Sequence, residues 1–275
     1  MDPAGKTIII TGASSGIGAA TARALADAGA NVVLAARDAT RLAELADRLR
    51  GRARAIPVNV ADPTDVQRLV EQTLAAYNRI DVVINNAGVG LASPVACCLL
   101  YTSADLRAAL DVNLFGSLTL TQTVLPHMQH ARRGQIIFIS SVVGLRALPY
   151  AGGYAATKAA LDRLTEALRV ELRGSGISVT LVRPGTTRTA FNDHRLGSHR
   201  DRRRFNPPAV APERVADTVV RAIRRESRVV YVSWSDRLTV WMALLLPGLA
   251  DRLLARLFIW EGSEEKGVPY ANPER

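Results

Sequence analysis

The sequence predicts an α/β fold: one domain built on a doubly wound, seven-stranded parallel sheet, with a helical extension at its C-terminal end. Three observations lead there. Short β-branched runs alternate with longer amphipathic stretches from Thr7 to Val232, the pattern of repeated βαβ units. Several of the short runs are apolar almost throughout, as strands covered on both faces must be. A glycine-rich turn separates the first run from the first amphipathic stretch, at the strand end where open parallel sheets place their ligands.

The strands are read at 7–11, 31–35, 54–59, 82–85, 135–139, 178–183 and 228–232. The first helix spans 17–28, where Ala20, Ala24, Leu25 and Ala28 make one apolar stripe and Gly29 supplies the stop. Asp38 caps the next helix, and Pro63 behind Asp62 fits the first turn of another. His127 and His130 stand at a polar helix end. Right-handed crossovers then cover both faces of the sheet and leave ligand space beyond the carboxyl ends of its strands.

A chain of 275 residues exceeds the usual domain length, yet α/β folds reach this size as one unit. With 48% apolar and 22% charged residues it can bury a substantial core, which excludes a disordered chain. The only cysteines, Cys97 and Cys98, are neighbours that cannot cross-link distant segments, so a reducing compartment is expected. Met1 to Lys6 leads straight into an apolar strand without the pattern of a secretory leader, and the expected location is cytoplasmic. A net charge of +10 comes with no recognised nucleic-acid-binding module and is read as solvated surface. No His, Cys, Asp or Glu spacing supports a metal site.

Thr11-Gly12-Ala13-Ser14-Ser15-Gly16-Ile17-Gly18 ends the first strand and opens a helix, a context in which glycines let the backbone approach a pyrophosphate. Gly12 makes the turn, Gly16 the close approach and Gly18 the helix-to-strand contact, with Ser14, Ser15 and Ile17 in the same candidate cofactor site. Asn85-Asn86-Ala87-Gly88 ends the fourth strand, where the plainer reading is a polar turn satisfied by its own amides. Tyr154 and Lys158 stand one helical turn apart and can share a face. Each of these occurs by chance in many chains; here they occur in order.

The ordered set, completed by Asn113, Ser141 and Pro184-Gly185, closely resembles the classical short-chain dehydrogenase/reductase family from Lys6 to about Val232. The resemblance implies a Rossmann-type dinucleotide-binding and catalytic domain over 1–232, followed by an amphipathic extension and tail over 233–275. It also implies hydride transfer between a nicotinamide and a carbonyl or secondary alcohol on a small molecule, with Tyr154 as general acid/base. A free phenol, with a pKa of about 10, is a poor base at neutral pH; a Lys158 ammonium and an oxidised nicotinamide would both lower it. Ser141 matches the donor to the substrate oxygen, whereas its neighbour Ser140 is assigned to local backbone. Lys158 also hydrogen-bonds the nicotinamide ribose. Asn113 matches the residue that helps hold a relay water near the lysine, set against a buried polar group bonded to backbone. Asn86, Ala87, Gly88, Pro184, Gly185, Thr187 and Thr189 complete the implied cofactor contacts, Thr189 standing first for the carboxamide. Relatives in the family form dimers or tetramers, so a homo-oligomer is expected.

Cofactor choice turns on the end of the second strand. Ala36 stands where relatives that prefer NAD carry an aspartate, and Arg37 beside it can pair with a 2′-phosphate, which favours NADP(H). Asn59, followed by Val60, replaces a frequent aspartate near the adenine; its amide can still accept a bond, so altered affinity is expected.

Three segments depart from the pattern. Basic residues from His194 to Arg204 and the pair Pro207-Pro208 break the alternation across 188–212, which reads as a long surface loop or lid. The resemblance fades over 96–103, where 98–103 is either a natural apolar loop beside the cleft or a sequence introduced by a library-preparation transposon end. Across 238–260, leucines, Trp241 and interspersed arginines describe an amphipathic helix pair around Pro247-Gly248, too short in apolar run to span a bilayer. It can pack over the cleft, join subunits or bind a membrane interface. Two other functions stand beside the enzyme: a catalytically silent dinucleotide-binding module, and a peripheral membrane protein acting on lipid-like substrates.

Overall fold

The computed structural model describes residues 1–49, 51–93, 95, 102–197 and 208–258. Its strands are β1 (Thr7–Thr11), β2 (Asn31–Ala36), β3 (Ala53–Pro57), β4 (Val82–Asn85), β5 (Gly134–Ile139), β6 (Ile177–Arg183) and β7 (Val229–Tyr231). All pair in parallel, in the order β3-β2-β1-β4-β5-β6-β7. The chain order reverses between β1 and β4, so the carboxyl ends of these two strands flank the switch point where such sheets bind ligands.

Alternation along each strand divides the core into two layers. On one face Ile8, Ile10, Val32 and Leu34 meet α1 (Gly16–Asp27), α2 (Ala39–Arg48) and α7 (Pro212–Arg225) through residues such as Leu25, Leu42 and Val219. On the other, Ile9, Val33 and Val83 meet α3 (Pro63–Tyr77), α5 (Gly116–His130) and α6 (Gly152–Glu171) through Leu69, Leu120 and Leu161. Each such side chain, fully buried, contributes about 1.5–3 kcal/mol.

Local chemistry sets the ends of these elements. Asp38 accepts from the Arg41 amide at the start of α2, and Asp62 accepts from the Thr64 amide beside Pro63 at the start of α3. β3 ends at Pro57, two residues earlier than expected. Asn59 donates its backbone N–H to Asp65 Oδ2 (2.8 Å) while its Oδ1 accepts from the Ala61 amide, which turns the chain out of the sheet. Thr102 and Asp105 form a capping box that opens α4 (Ser103–Leu110). A wide π turn, Asp111–Phe115, carries α4 into α5 without a break in the helical run. His127 and His130 lie in the last turn of α5. Cys97, Cys98 and positions up to Tyr101 lie outside the described residues.

The segment expected to be a lid is anchored at both ends. Leu196 donates to Gly90 O (2.8 Å), Arg188 donates to Val210 O (2.9 Å), and a short helical turn, Ala190–His194, lies between. Positions 198–207, which carry His199 and most of the expected basic cluster, are outside the described residues.

The extension forms two helices, α8 (Trp234–Leu245) and α9 (Pro247–Leu257), bent by 115°. Its apolar stripe is turned largely outward. Val240 and Phe258 face the body of the protein, whereas Trp234 is 75% and Leu245 69% exposed. Trp260 lies outside the described residues.

Candidate active site

At the end of β1 the Thr11 hydroxyl donates to Ile84 O and accepts from the Asn86 and Ala87 amides, both at 3.0 Å. The Asn86 side-chain amide returns to Thr11 O (2.8 Å) and Gly12 O (3.2 Å). These bonds press the two switch-point turns together, and the glycines make room. Gly12 has φ +64°, and a Cβ on Gly18 would stand 2.2 Å from Gly12 O. Asn86 thus acts by bracing the turn rather than by reaching into the space beyond it.

The N-terminus of α1 opens onto that space. Ser15 occupies the N-cap without a side-chain cap bond, and the first turn carries no acidic residue, so free amides and the helix dipole favour an anion there. Ser14 and Ile17 are half-buried in the same turn. Thr189 closes the far side, its Cγ2 3.0 Å from the point where a Cβ on Gly16 would stand. Amides, glycines and position therefore fit the pyrophosphate of a dinucleotide.

The candidate catalytic set stands beside this cradle. Ser141 follows β5, donates to Pro184 O (3.4 Å), accepts from the Val143 amide and stands close enough to Tyr154 to lower its phenol pKa. Lys158, one turn along α6 from Tyr154, is buried, donates to Ile139 O (2.9 Å) and stands 5.8 Å from the Tyr154 ring centroid. Burial pushes the Lys158 amine down to about 8, partly opposed by the Asp162 charge. Burial pushes the Tyr154 phenol above its ordinary value, against a smaller lowering by Ser141. The direction is opposite to the lowering expected from Lys158, because loss of water around the phenolate outweighs what the protein's own groups return.

Asn113 is fully buried in the π turn, and its side chain is committed. Oδ1 accepts from the Val89 amide (2.7 Å), and Nδ2 donates to Val89 O (2.9 Å) and Thr157 Oγ1 (3.0 Å). It ties the turn after β4 to α6. A Cβ on Gly88 would stand 3.1 Å from Asn113 Oδ1 and 3.7 Å from Lys158 Nζ, so the three meet at one point. Thr187 donates to Gly185 O, and the Thr189 hydroxyl accepts from the Phe191 amide, which makes both threonines turn formers as well as neighbours of the cradle.

At the cofactor's expected adenosine end, Ala36 is buried, Arg37 is exposed and Asp38 is held by the Arg41 amide and guanidinium. Asn59 is exposed with its amide oxygen already accepting from Ala61, and Val60 is buried against Gly116.

Two features escaped the sequence reading. The Phe191 ring lies 5.7 Å from that of Tyr154, tilted by 59°, so the anchored loop shields the phenol. Behind Lys158, the fully buried Asp162 accepts from Ser140 Oγ and, through Oδ2, from Arg183 Nε (3.1 Å) and Nη2 (2.9 Å). This corrects the assignment of Ser140 to local backbone: its hydroxyl serves a carboxylate on another element. An acidic residue four positions after Lys158, on the buried side of the same helix, was the available signal.

A doubly wound parallel sheet with this cradle at its switch point is the architecture of dinucleotide-binding α/β enzymes. The family model for short chain dehydrogenases matches residues 6–198. A 3-ketodihydrosphingosine reductase of Bacteroides thetaiotaomicron is 38% identical over 190 residues, covering 69% of this chain and 67% of the relative. The ketoacyl reductase HetN of Nostoc sp. is 33% identical over 267 residues, 94% of this chain and 90% of its own. Among solved structures, a short chain dehydrogenase/reductase from Burkholderia phymatum in complex with NAD has a TM-score of 0.81 at 26% identity, covering 91% of this chain and 96% of that one. The chain belongs to the short-chain dehydrogenase/reductase family and is an oxidoreductase. Among the described residues no group of three His, Cys, Asp or Glu side chains is gathered to hold a metal ion.

Arg183→Met strands the Asp162 carboxylate in the interior and should destabilise the fold by about 3–5 kcal/mol, whereas Asp162→Leu/Arg183→Met should cost less than that single change. Urea unfolding of the two variants checks the order. Lys158 gives a second expectation. Between pH of about 8 and the ordinary lysine value of 10.5, the unfolded chain binds a proton that the folded chain has lost. Its contribution is therefore complete above the upper value and lost as pH falls through the lower. Stability relative to Lys158→Met should rise from pH 7.5 to 9.5, and a flat difference in unfolding free energy would reject the lowered value.

Proposed function

We propose that this protein reduces a ketone to a secondary alcohol with NADPH, and runs in reverse with NADP and the alcohol. The observation that carries the reading is the gathering of Ser141, Tyr154 and Lys158, with Lys158 Nζ 5.8 Å from the Tyr154 ring centroid, beside a cradle suited to a pyrophosphate. The nicotinamide, when bound, supplies hydride to the carbonyl carbon or accepts it from the carbinol. Tyr154 gives its proton to the carbonyl oxygen, and Ser141 donates a hydrogen bond to the same oxygen as negative charge develops on it. Lys158, mostly charged at pH 7 with a midpoint of about 8, stabilises the phenolate left behind and offers its N–H bonds to the ribose.

Burial keeps the phenol in its acid form, and an acid is what carbonyl reduction requires. The names of the two relatives, both reductases of a keto group, support the same direction. Preference for NADP(H) rests on Ala36, which places no carboxylate beside the 2′ position, and on the exposed Arg37. Asp38 does not compete for that guanidinium, because Arg41 and the helix N-terminus hold it. The structure from Burkholderia phymatum, bound to NAD, carries the other choice within the same fold.

Tyr154→Phe should lower turnover by about 10²- to 10⁴-fold while NADPH affinity, read by fluorescence, changes little. Ser141→Ala should mainly lower kcat, by about 10²- to 10³-fold, and Lys158→Ala should damage both binding and turnover. Near-normal turnover by Tyr154→Phe on any ketone from a substrate panel overturns the mechanism. Arg37→Ala should weaken NADPH roughly tenfold or more, the worth of a charge-assisted pair, and leave NADH unchanged; equal losses in both titrations would remove 2′-phosphate recognition.

A further inference from the structure

We propose that the outer face of α8 and α9 binds an anionic lipid interface and holds the mouth of the active-site cleft against it, so that the enzyme draws an amphiphilic ketone from the lipid phase. Binding stands on this surface alone, whereas the substrate class rests on the oxidoreductase reading above.

The two helices are inside out by the rule for a water-facing helix, whose apolar stripe turns to the core. Along α8 the residues Trp234, Leu238, Trp241 and Leu245 recur at helical spacing on one stripe and are 75%, 46%, 51% and 69% exposed, while Val240 faces the body and is buried. Leu249 and Leu253, one turn apart, do the same on α9 at 52% and 50%. Of the fifteen large apolar side chains exposed among the described residues, ten fall between Trp234 and Leu257, so the exposure is one patch rather than ordinary scatter.

Charge selects the occupant. Both acidic groups of the pair are engaged with the body of the protein: the Asp236 carboxylate lies against Gly185, and Asp251, itself largely exposed, is ion-paired with Arg146. Arg252 and Arg256 are exposed and have no carboxylate partner among the described residues, and the whole chain carries +10. A second copy related by a two-fold axis would bring these arginines toward their own equivalents, whereas an anionic headgroup layer attracts them. Trp234 and Trp241 add indoles, which favour the boundary between headgroups and acyl chains. At 12 and 11 residues, and bent by 115°, each helix is far shorter than the roughly 20 residues that cross a bilayer, so the pair lies in the interface.

The same contacts place the patch beside the chemistry. Asp236 touches the turn after β6, and Arg146, which holds Asp251, follows the short turn Val142–Gly144 that begins at Ser141. A substrate leaving the lipid at this face therefore meets the rim of the cleft without crossing water.

The test is flotation of the full chain with phosphatidylcholine vesicles, with and without phosphatidylglycerol, followed by light scattering and turnover. The protein should float with the anionic vesicles and much less with the neutral ones. Arg252→Glu/Arg256→Glu should lower partitioning roughly tenfold or more, each arginine near an anionic surface being worth about fivefold. Leu245→Glu/Leu249→Glu should abolish flotation with an unchanged circular dichroism spectrum and unchanged turnover of a water-soluble ketone. Absence of flotation by the unaltered protein overturns the proposal. So does a leucine variant that floats normally but loses self-association, which assigns the face to a second copy. Flotation with no turnover of any ketone leaves lipid binding standing and removes the proposed reaction instead. Flotation with a long-chain ketone in vesicles turned over no better than a short soluble one removes the substrate class.

Discussion

Everything at the site depends on how closely the turn after β1 approaches the turn after β4. The Thr11 hydroxyl and the Asn86 amide close that gap with bonds to each other's backbone, and Gly18, lacking a Cβ, leaves the room beside Gly12 O that the Asn86 amide fills. Thr11, Gly12, Asn86 and Ala87 are buried or half-buried, so a lost partner would leave polar groups short of water to replace it. Held this way, the N-terminus of α1 points at a fixed place, and Gly88, Asn113 and Lys158 meet at another. The cradle and the candidate catalytic groups keep their separation because they share one wall.

A second constraint works from behind. Asp162 on α6 accepts from Ser140 at the end of β5 and from Arg183 at the end of β6, and Arg183 in turn lies 5.7 Å from the Tyr231 ring, which Arg237 of α8 approaches from 5.9 Å. A buried ion pair of this kind adds little net stability over an apolar substitute. What it contributes here is alignment: Ser141, Lys158 and Pro184 stand next to, or one turn from, members of the network. The residues proposed for the chemistry are neighbours of groups that cannot move without exposing a charge to the core.

The sheet was legible in the sequence because parallel strands covered on both faces leave nearly unbroken apolar runs, and β1 and β4 were read to the residue. Errors fell where a side chain rather than a pattern ends the strand, as Asn59 and Asp65 do for β3. The motifs located the glycine turn, Ser141, Tyr154 and Lys158 because those residues sit at fixed offsets from strand ends and helix turns. Phe191 and the Asp162–Arg183 pair were not legible: the contacts join residues 37 and 21 positions apart whose meeting depends on tertiary placement. The amphipathic pattern of the extension defined two faces but could not say which would meet water, since periodicity carries no sign.

The π turn at Asp111–Phe115 sets a limit on how this chain can change length. A wide turn accommodates one residue more than an α-helix would, and each residue rotates the rest of the helix by about 100°. Deleting any one residue there would let α4 and α5 fuse into a regular helix, yet would swing Asn113 off Val89 and Thr157 or turn Leu120 and Val124 out of the core. Substitutions across this stretch are graded in their effect, but a change in residue count is not. In the history of such a gene the five codons of the turn should behave as a ruler, accepting new letters and refusing gaps.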